Sequence, residues 1–350
     1  MARLSRAEAQ ERNRERVLAA ARAEFVERGF RAAKIDAIAE RAELTRGAVY
    51  SNFPGKRALY FAVLAASAMT EPADAVPTAT SPGEALAAFA RAWVARLPLF
   101  TDDDRSPARL GVDLLPEILA DEQTRQPYAQ LMKLNALLLG LALENLAFAD
   151  LRTRTGRLVR VAETALTTLH GASQLAAAAP GFLEPFDVVR ACARLADLDF
   201  DDAWLPPHLP YAVKARPVDE RWSPPPGAPA DGVVAILGLH RLASIEEAVR
   251  TAPAAVPVSA VLVTSSPDEL AALARLALAE VSGCLRAAFL PTALPRLRVL
   301  HDDTGSLAAA AGIPGVSDAT QAAVLVRDGR IVARAEGFGA CYAAAHAATA

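Results

Sequence analysis

Lys34-Ile35-Asp36-Ala37-Ile38-Ala39-Glu40-Arg41-Ala42-Glu43-Leu44-Thr45-Arg46-Gly47-Ala48-Val49-Tyr50-Ser51-Asn52-Phe53 reads as two short helices joined by a tight turn. Ile35, Ile38, Ala39 and Ala42 give the first helix one apolar face, and Ala48, Val49 and Phe53 do the same for the second. Thr45 stands where an N-cap belongs, its hydroxyl placed to accept from a free amide of the first turn. A small core that fixes the angle between two helices, with Arg46, Gly47, Tyr50, Ser51 and Asn52 facing outward on the second, is the pattern of a helix-turn-helix.

Upstream, Val17, Leu18, Ala21 and Phe25 share one face of an amphipathic helix, which Gly29-Phe30 closes as a glycine cap with an apolar follower. The combination Ile38-Ala39, Ala42, Leu44-Thr45-Arg46-Gly47, Tyr50, Phe53 and Lys56 resembles the DNA-binding signature of TetR/AcrR-type transcriptional regulators. The resemblance is detailed over residues 10 to 65 and looser over the helical chain to about residue 205. Two positions depart from it. Ala33-Lys34 stands where a hydroxyl cap is usual, so the second helix is expected to lack one, with Lys34 free to approach a phosphate. Glu43 occupies the turn position usually held by Gly, at a cost of about 1 kcal/mol if the backbone is left-handed there.

Charge is distributed unevenly. Residues 1–60 hold 11 Arg and 2 Lys against 7 Glu and 1 Asp, so this segment carries +5 and the rest of the chain −8. A basic module on an acidic body fits a polyanion partner for the N-terminus and argues against an acidic membrane surface for the remainder. Arg3, Arg6, Glu8, Glu11 and Arg12 interrupt any apolar run at the start, so no signal peptide is expected. No stretch reaches the ~18 uninterrupted apolar residues of a spanning helix; the nearest, Ala136 to Ala149, is broken by Glu144 and Asn145. Cys192, Cys284 and Cys341 are far apart and form no zinc or CxxC spacing. A soluble, cytoplasmic protein without cofactor or metal is the expectation.

From Lys56 to about Phe200 every substantial segment reads as helix, with Ser81-Pro82-Gly83-Glu84 opening one of them at capping-box spacing. Pro206, Pro207, Pro210, Pro217, Pro224, Pro225, Pro226 and Pro229 crowd residues 206–230, which are therefore expected to be a linker, with Trp222 docked on a neighbouring surface. Beyond it the chain alternates. Val233–Leu237, Val258–Val263 and Leu297–Leu300 read as strands, Pro267–Val281 and Thr304–Ala311 as helices. Ala322–Arg327 and Arg330–Ala335 flank the hairpin signal Asp328-Gly329 ahead of a last helix, Ala340–Ala348. The expected organisation is a helix-turn-helix domain at 1–55, a helical effector-binding and dimerisation domain at 56–205, a linker at 206–230 and an α/β domain at 231–350. In class, it is an all-α N-terminal two-thirds followed by an α/β part.

The order of the last 120 residues, with Leu300-His301-Asp302-Asp303-Thr304-Gly305, Ala311-Gly312-Ile313 and Val324 to Val332, resembles a thioredoxin-like domain of the peroxiredoxin branch. Thiol catalysis needs a thiolate after the first strand, where a helix start lowers its pKa. Ile236-Leu237-Gly238-Leu239-His240-Arg241 contains no cysteine, and Asp318 to Ala322 no proline. Cys341, at the start of the last helix, is the remaining thiol that could be activated. The alternative of a thiol-dependent oxidoreductase with a helical extension thus lacks its central residue, and an inert sensing or oligomerisation module is preferred.

The residues expected to serve DNA are Lys34, Thr45, Arg46, Gly47, Ala48, Tyr50, Ser51, Asn52 and Lys56. Arg3, Arg6, Lys34 and Lys56 supply cations for phosphates, Arg46 a donor pair for a guanine edge, Gly47 close approach and Ala48 a methyl for thymine. The family resemblance further implies phosphate contacts from Tyr50 and Lys56. It implies a dimer built from the last two helices of the helical domain, whose apolar faces carry Leu158, Val161, Leu166, Leu169, Val188, Val189 and Leu195. It also implies an unknown small-molecule effector, for which Phe89, Trp93, Leu97, Tyr128, Met132 and Phe148 are the candidate wall. A homodimeric, ligand-responsive repressor acting on double-stranded operator DNA is the resulting expectation, with no catalytic residue.

Overall fold

The computed structural model describes residues 5–70, 77–98, 107–149, 156–208 and 210–349. Two compact units emerge: Met1–Arg125 with Thr164–Asp197 and Asp268–Leu290, and Gln126–Glu163 with Leu198–Pro267 and Pro291–Ala350.

The first unit opens with α1 (Arg6–Ala32), started by a capping box in which Ser5 Oγ accepts from Glu8 N and the Glu8 carboxylate accepts from Ser5 N. Gly29, at φ 71°, breaks the helical path as its sequence position foretold. Then come α2 (Ile35–Arg41), α3 (Arg46–Tyr50), α4 (Lys56–Thr70), α5 (Pro82–Val94), a single 3-10 turn at Pro107–Arg109 and α6 (Leu114–Leu119). The Ser81 hydroxyl accepts from Glu84 N as the capping spacing requires, but the Glu84 carboxylate turns to Thr80 N and Oγ1. The unit also takes most of α8 (Val159–Ala178), α9 (Pro185–Leu195), which packs along α5, and α11 (Pro267–Ala288) from Asp268 onward. Arg57 of α4 binds Asp121 at 2.7 Å and Glu269 of α11.

The second unit contains α7 (Glu122–Ala149) from Gln126 onward and a sheet of six strands: β1 (Arg216–Arg221), β2 (Gly232–Gly238), β3 (Val258–Val263), β4 (Leu297–His301), β5 (Gln321–Arg327) and β6 (Arg330–Glu336). Their order is β1-β6-β5-β2-β3-β4. β2, β3 and β4 run parallel, in register Ala235↔Ala260 and Ala260↔Val299, whereas β5 and β6 form the antiparallel hairpin around Asp328-Gly329. β2 and β3 are buried along their whole length, as central strands with continuous β-branched content must be. The connecting and flanking helices are α10 (Ile245–Thr251), α12 (Ser306–Ala310) and α13 (Ala340–His346). The strands and α13 agree with the expectations for residues 231–350; α10 was not expected, and α11 falls in the first unit.

The proline-rich segment is not merely a linker. Its residues 216–221 form β1, the edge strand paired antiparallel to β6, with Pro217 where an edge tolerates a missing donor. Trp222 packs in the sheet core beside Val234, Val324 and Ile331, and its indole N–H donates to Pro229 O at 2.9 Å. The units also cut across the expected boundaries: α7 belongs with the sheet and α11 with the helices. Polar side chains tie α7 to its unit. Glu144, almost sealed from water, accepts from both Arg250 terminal nitrogens at 2.5 and 2.8 Å and from Leu158 N at 2.9 Å. Arg157 in turn grips Glu246 at 2.6 and 2.7 Å and reaches Asp202 at 2.5 Å. Gln130 accepts from Ala243 N at 3.0 Å. Gly140 has no room for a Cβ, which would lie 2.9 Å from Val159 Cα, so the start of α8 approaches α7 at backbone distance.

Candidate nucleic-acid interface

The N-terminal helices pack around Val17, Ala21, Phe25, Ile38, Ala39, Ala42, Val49 and Phe53, all buried. Phe25 and Phe30 meet Tyr60 of α4 with ring centroids 5.3 and 4.7 Å away, and the Tyr60 hydroxyl donates to Leu110 O at 2.6 Å. Glu24, buried on α1, faces Arg28 and Arg41 at 3.3 Å each, and Arg41 also binds Glu27 at 2.7 Å, so charge pins α2 against α1.

The turn between α2 and α3 is a Schellman closure. Leu44 N donates to Ala39 O and Glu43 N to Glu40 O, each at 2.9 Å. Glu43 takes φ 52° to make it, the left-handed conformation that glycine would adopt without strain, and its carboxylate pairs with Arg16 at 2.9 Å on the surface. Thr45 caps α3, accepting from Ala48 N at 3.2 Å, and α2 starts at Lys34 without a side-chain cap.

With Val49 inward, α3 leaves Thr45, Arg46, Gly47, Tyr50 and Ser51 exposed and Ala48 half-buried; Lys34 is exposed at the start of α2. Arg46 lies 3.3 Å from Asp36 Oδ1, and its other terminal nitrogen points at the Tyr50 hydroxyl at 3.5 Å. The Tyr50 hydrogen bond and then the Asp36 charge raise the Arg46 pKa above its ordinary value, so the guanidinium is a permanent cation.

Three expected contacts are used differently. Lys56 Nζ donates to Phe30 O at 2.8 Å and to Arg31 O and Ala33 O at 3.2 Å each, and sits 4.5 Å from the Phe30 ring centroid. Each of its three donors has a carbonyl, so here the ammonium caps the end of α1 instead of reaching outward. Ser51 Oγ and Asn52 Nδ2 both fold back onto Ala48 O, at 2.9 and 2.8 Å, closing the end of α3. Sequence reasoning missed this inward use because the α1 carbonyls lie 23 to 26 residues upstream of Lys56. Arg14, which it did not single out, stacks on Phe53 at 4.5 Å. Arg3 and the side chain of Arg6 lie outside the described residues.

Residues 17–63 match the family model described as bacterial regulatory proteins, tetR family. The matched span runs from Val17 of α1 into α4 and contains the whole helix-turn-helix. No curated protein matches the chain. Three solved structures are similar over about half of it. One concerns the molecular basis for control of antibiotic production by bacterial hormones (21% identity, covering 53% of this chain and 96% of that one, TM-score 0.35). The second is a TetR transcriptional regulator from Rhodococcus sp. RHA1 (16%, 54% and 95%, TM-score 0.33). The third is NalD, the secondary repressor of the MexAB-OprM multidrug efflux pump in Pseudomonas aeruginosa (19%, 53% and 95%, TM-score 0.33).

Outside the matched segment, the candidate effector residues fall into both units. Phe89 and Trp93 are buried in the first, their rings 6.3 Å apart and stacked, and Leu97 is half-buried there. The Trp93 indole N–H donates to Ser173 Oγ at 3.0 Å, and its ring meets His170 edge-on at 4.8 Å. His170 was not foreseen; burial pushes its pKa down to about 4, and Nε2 is sealed from water with no hydrogen-bond partner. Tyr128 and Met132 are half-buried in the second unit, and the side chain of Phe148 lies outside the described residues.

The faces expected to dimerise are already used within the chain: Val161, Leu166, Leu169, Val188 and Val189 are buried, and Leu158 and Leu195 half-buried. Leu175, Phe182 and Phe186 are exposed instead, the two phenylalanines by 73% and 72%. None of the three cysteines is in a disulfide, and all are buried. Cys341 is fully enclosed, and burial, then the charge of Glu247, pushes its thiol up, so it is the opposite of an activated thiol. Burial likewise raises Cys192 to about 11. Among the described residues no cluster of three His, Cys, Asp or Glu could hold a metal, and no helix is long and apolar enough to cross a membrane.

Proposed function

We propose that this chain is a sequence-specific DNA-binding transcriptional regulator, acting as a ligand-responsive homodimeric repressor. The observation that carries the reading is the face of α3: Arg46, Gly47, Tyr50 and Ser51 exposed on a helix whose opposite side is locked into a helix-turn-helix core. Such a face enters the major groove, where Arg46 donates to a guanine edge and Ala48 meets a thymine methyl, while Lys34 and Tyr50 contact phosphates. One reader of this size is too small to be specific alone, so a two-fold dimer on a near-palindromic site is required. Leu175, Phe182 and Phe186 supply an apolar surface for it on α8, α9 and the turn between them. The effector is proposed to act through Trp93 and Leu97 of the first unit. His170, with a neutral, unpartnered imidazole nitrogen, adds a polar contact, and Phe89 serves as packing behind Trp93. Effector binding shifts the population toward a state with lower operator affinity by its differential affinity for the two states.

For the α/β unit we propose a thioredoxin-like sensing or oligomerisation module without catalysis. Its parallel β2-β3-β4 and antiparallel β5-β6 followed by α13 support the fold, and the enclosed thiol of Cys341 argues against the oxidoreductase alternative. The test is selection of bound fragments from sheared genomic DNA, followed by binding of Arg46→Ala and Tyr50→Ala variants to the selected sequence. Both variants are expected to lose operator binding while remaining dimers. Unchanged binding by either removes the assignment of α3 as the reader.

A further inference from the structure

Asp36 is an exposed carboxylate on the surface that the DNA-binding reading turns toward phosphates. It stands in the first turn of α2, 70% exposed at its side chain, on the same surface as Arg46. Its Oδ1 is 3.3 Å from one terminal nitrogen of Arg46, and the other terminal nitrogen faces the Tyr50 hydroxyl at 3.5 Å. The Arg46 guanidinium carbon also lies 5.5 Å from the centre of the Tyr50 ring. Arg46 is therefore held from two sides by groups on two different helices.

We propose that Asp36 is a specificity-determining residue of the reader, acting through Arg46; the inference rests on the DNA-binding reading of α3. A guanidinium carries five N–H donors in a fixed plane. Asp36 faces one terminal nitrogen and Tyr50 the other, and a guanidinium of five donors still has hydrogens to offer the N7 and O6 of a guanine. Holding the side chain in that plane before binding reduces the rotamer freedom lost on contact, which favours the bidentate partner over single contacts to passing phosphates. Asp36 also repels the phosphate backbone, but that penalty falls on every duplex irrespective of sequence and cancels in the ratio of affinities, so the discrimination comes from the positioning of Arg46. Ion pairing this exposed adds little to stability, so the role is in recognition.

The test uses the full chain and fluorescence anisotropy on two labelled duplexes of equal length: the genomic fragment selected by the wild type and a scrambled sequence. Asp36→Asn keeps the shape and removes the charge. The ratio of the two affinities is expected to fall about tenfold, within the range of a good bidentate base contact. In an Arg46→Lys background, which keeps the charge and loses the planar fork, the same Asp36→Asn change should leave the ratio unaltered. An undiminished ratio in Asp36→Asn overturns the proposal, as does an equal fall with arginine and with lysine at position 46. A wild type that binds both duplexes alike overturns the DNA-reader assignment together with this one. A wild type that discriminates while Asp36→Asn is unchanged overturns this inference alone.

Discussion

Replacing Lys56 by Met separates two roles for one ammonium group. The methionine keeps the aliphatic stem and its packing on Phe30 but removes the donors to Phe30 O, Arg31 O and Ala33 O. A hydrogen bond involving a charged group contributes about 1.5–3 kcal/mol. Three such bonds on one half-exposed ammonium do not add, since the carbonyls regain water in the variant. With about 0.5–1 kcal/mol for the cation over the Phe30 ring, the net loss should be about 2 kcal/mol. At 25 °C that corresponds to roughly 30-fold faster hydrogen exchange of the α2 and α3 amides by local opening. The second readout is the salt dependence of operator binding. A phosphate ligand contributes about 0.9 to the slope of log affinity against log salt, whereas a helix cap contributes nothing. The expected result is faster exchange with an unchanged slope. A slope reduced by about one, with exchange at the wild-type rate, would refute the cap and return Lys56 to the DNA.

Glu43→Gly relieves the left-handed backbone at φ 52° and sacrifices only an exposed pair with Arg16; the helix-turn-helix should gain about 0.5–1 kcal/mol, seen as slower exchange of its amides. The pH dependence of stability carries the signature of His170. Its folded pKa of about 4 lies below the ordinary 6.5, so the unfolded state binds more protons between the two. Stability should therefore be fully present above pH 6.5 and decline toward pH 4 by about 2–3 kcal/mol, and His170→Leu should flatten that decline in urea titrations at successive pH values. Arg250→Met strands the buried Glu144 carboxylate and should cost about 3–5 kcal/mol, measured as loss of protection in α7 and α10. Adding Glu144→Leu should recover much of it; a double variant as unstable as the single one counts against the charge argument.

The local elements were legible where the pattern is local. Val49, Ile38 and Phe53 sit at helical spacing around a turn, so their burial follows from periodicity alone. Gly29 at positive φ, Thr45 as a cap and the missing cap at Lys34 were readable for the same reason. The hairpin at Asp328-Gly329 and the buried strands β2 and β3 follow from turn chemistry and continuous β-branched runs. β1 escaped because Arg216–Arg221 has no alternation and a single β-branched residue, Val218; its pairing to β6 comes from the partner strand. α10 carries too few residues to show a period.

Chain composition and spacing thus settle what forms within about one helix or hairpin: a basic helix-turn-helix, a run of helices and an α/β tail. Tertiary packing decided which side of each element is free. It turned Lys56 onto the carbonyls of Phe30, Arg31 and Ala33, brought Asp36 to Arg46, enclosed Cys341 and the helix faces expected to dimerise, and left Phe182 and Phe186 in water. The physical reason is that a side chain's chemistry is fixed by its residue type, whereas its partner, its desolvation and its exposure are set by atoms brought from elsewhere in the chain. Spacing along the backbone carries no information about those atoms.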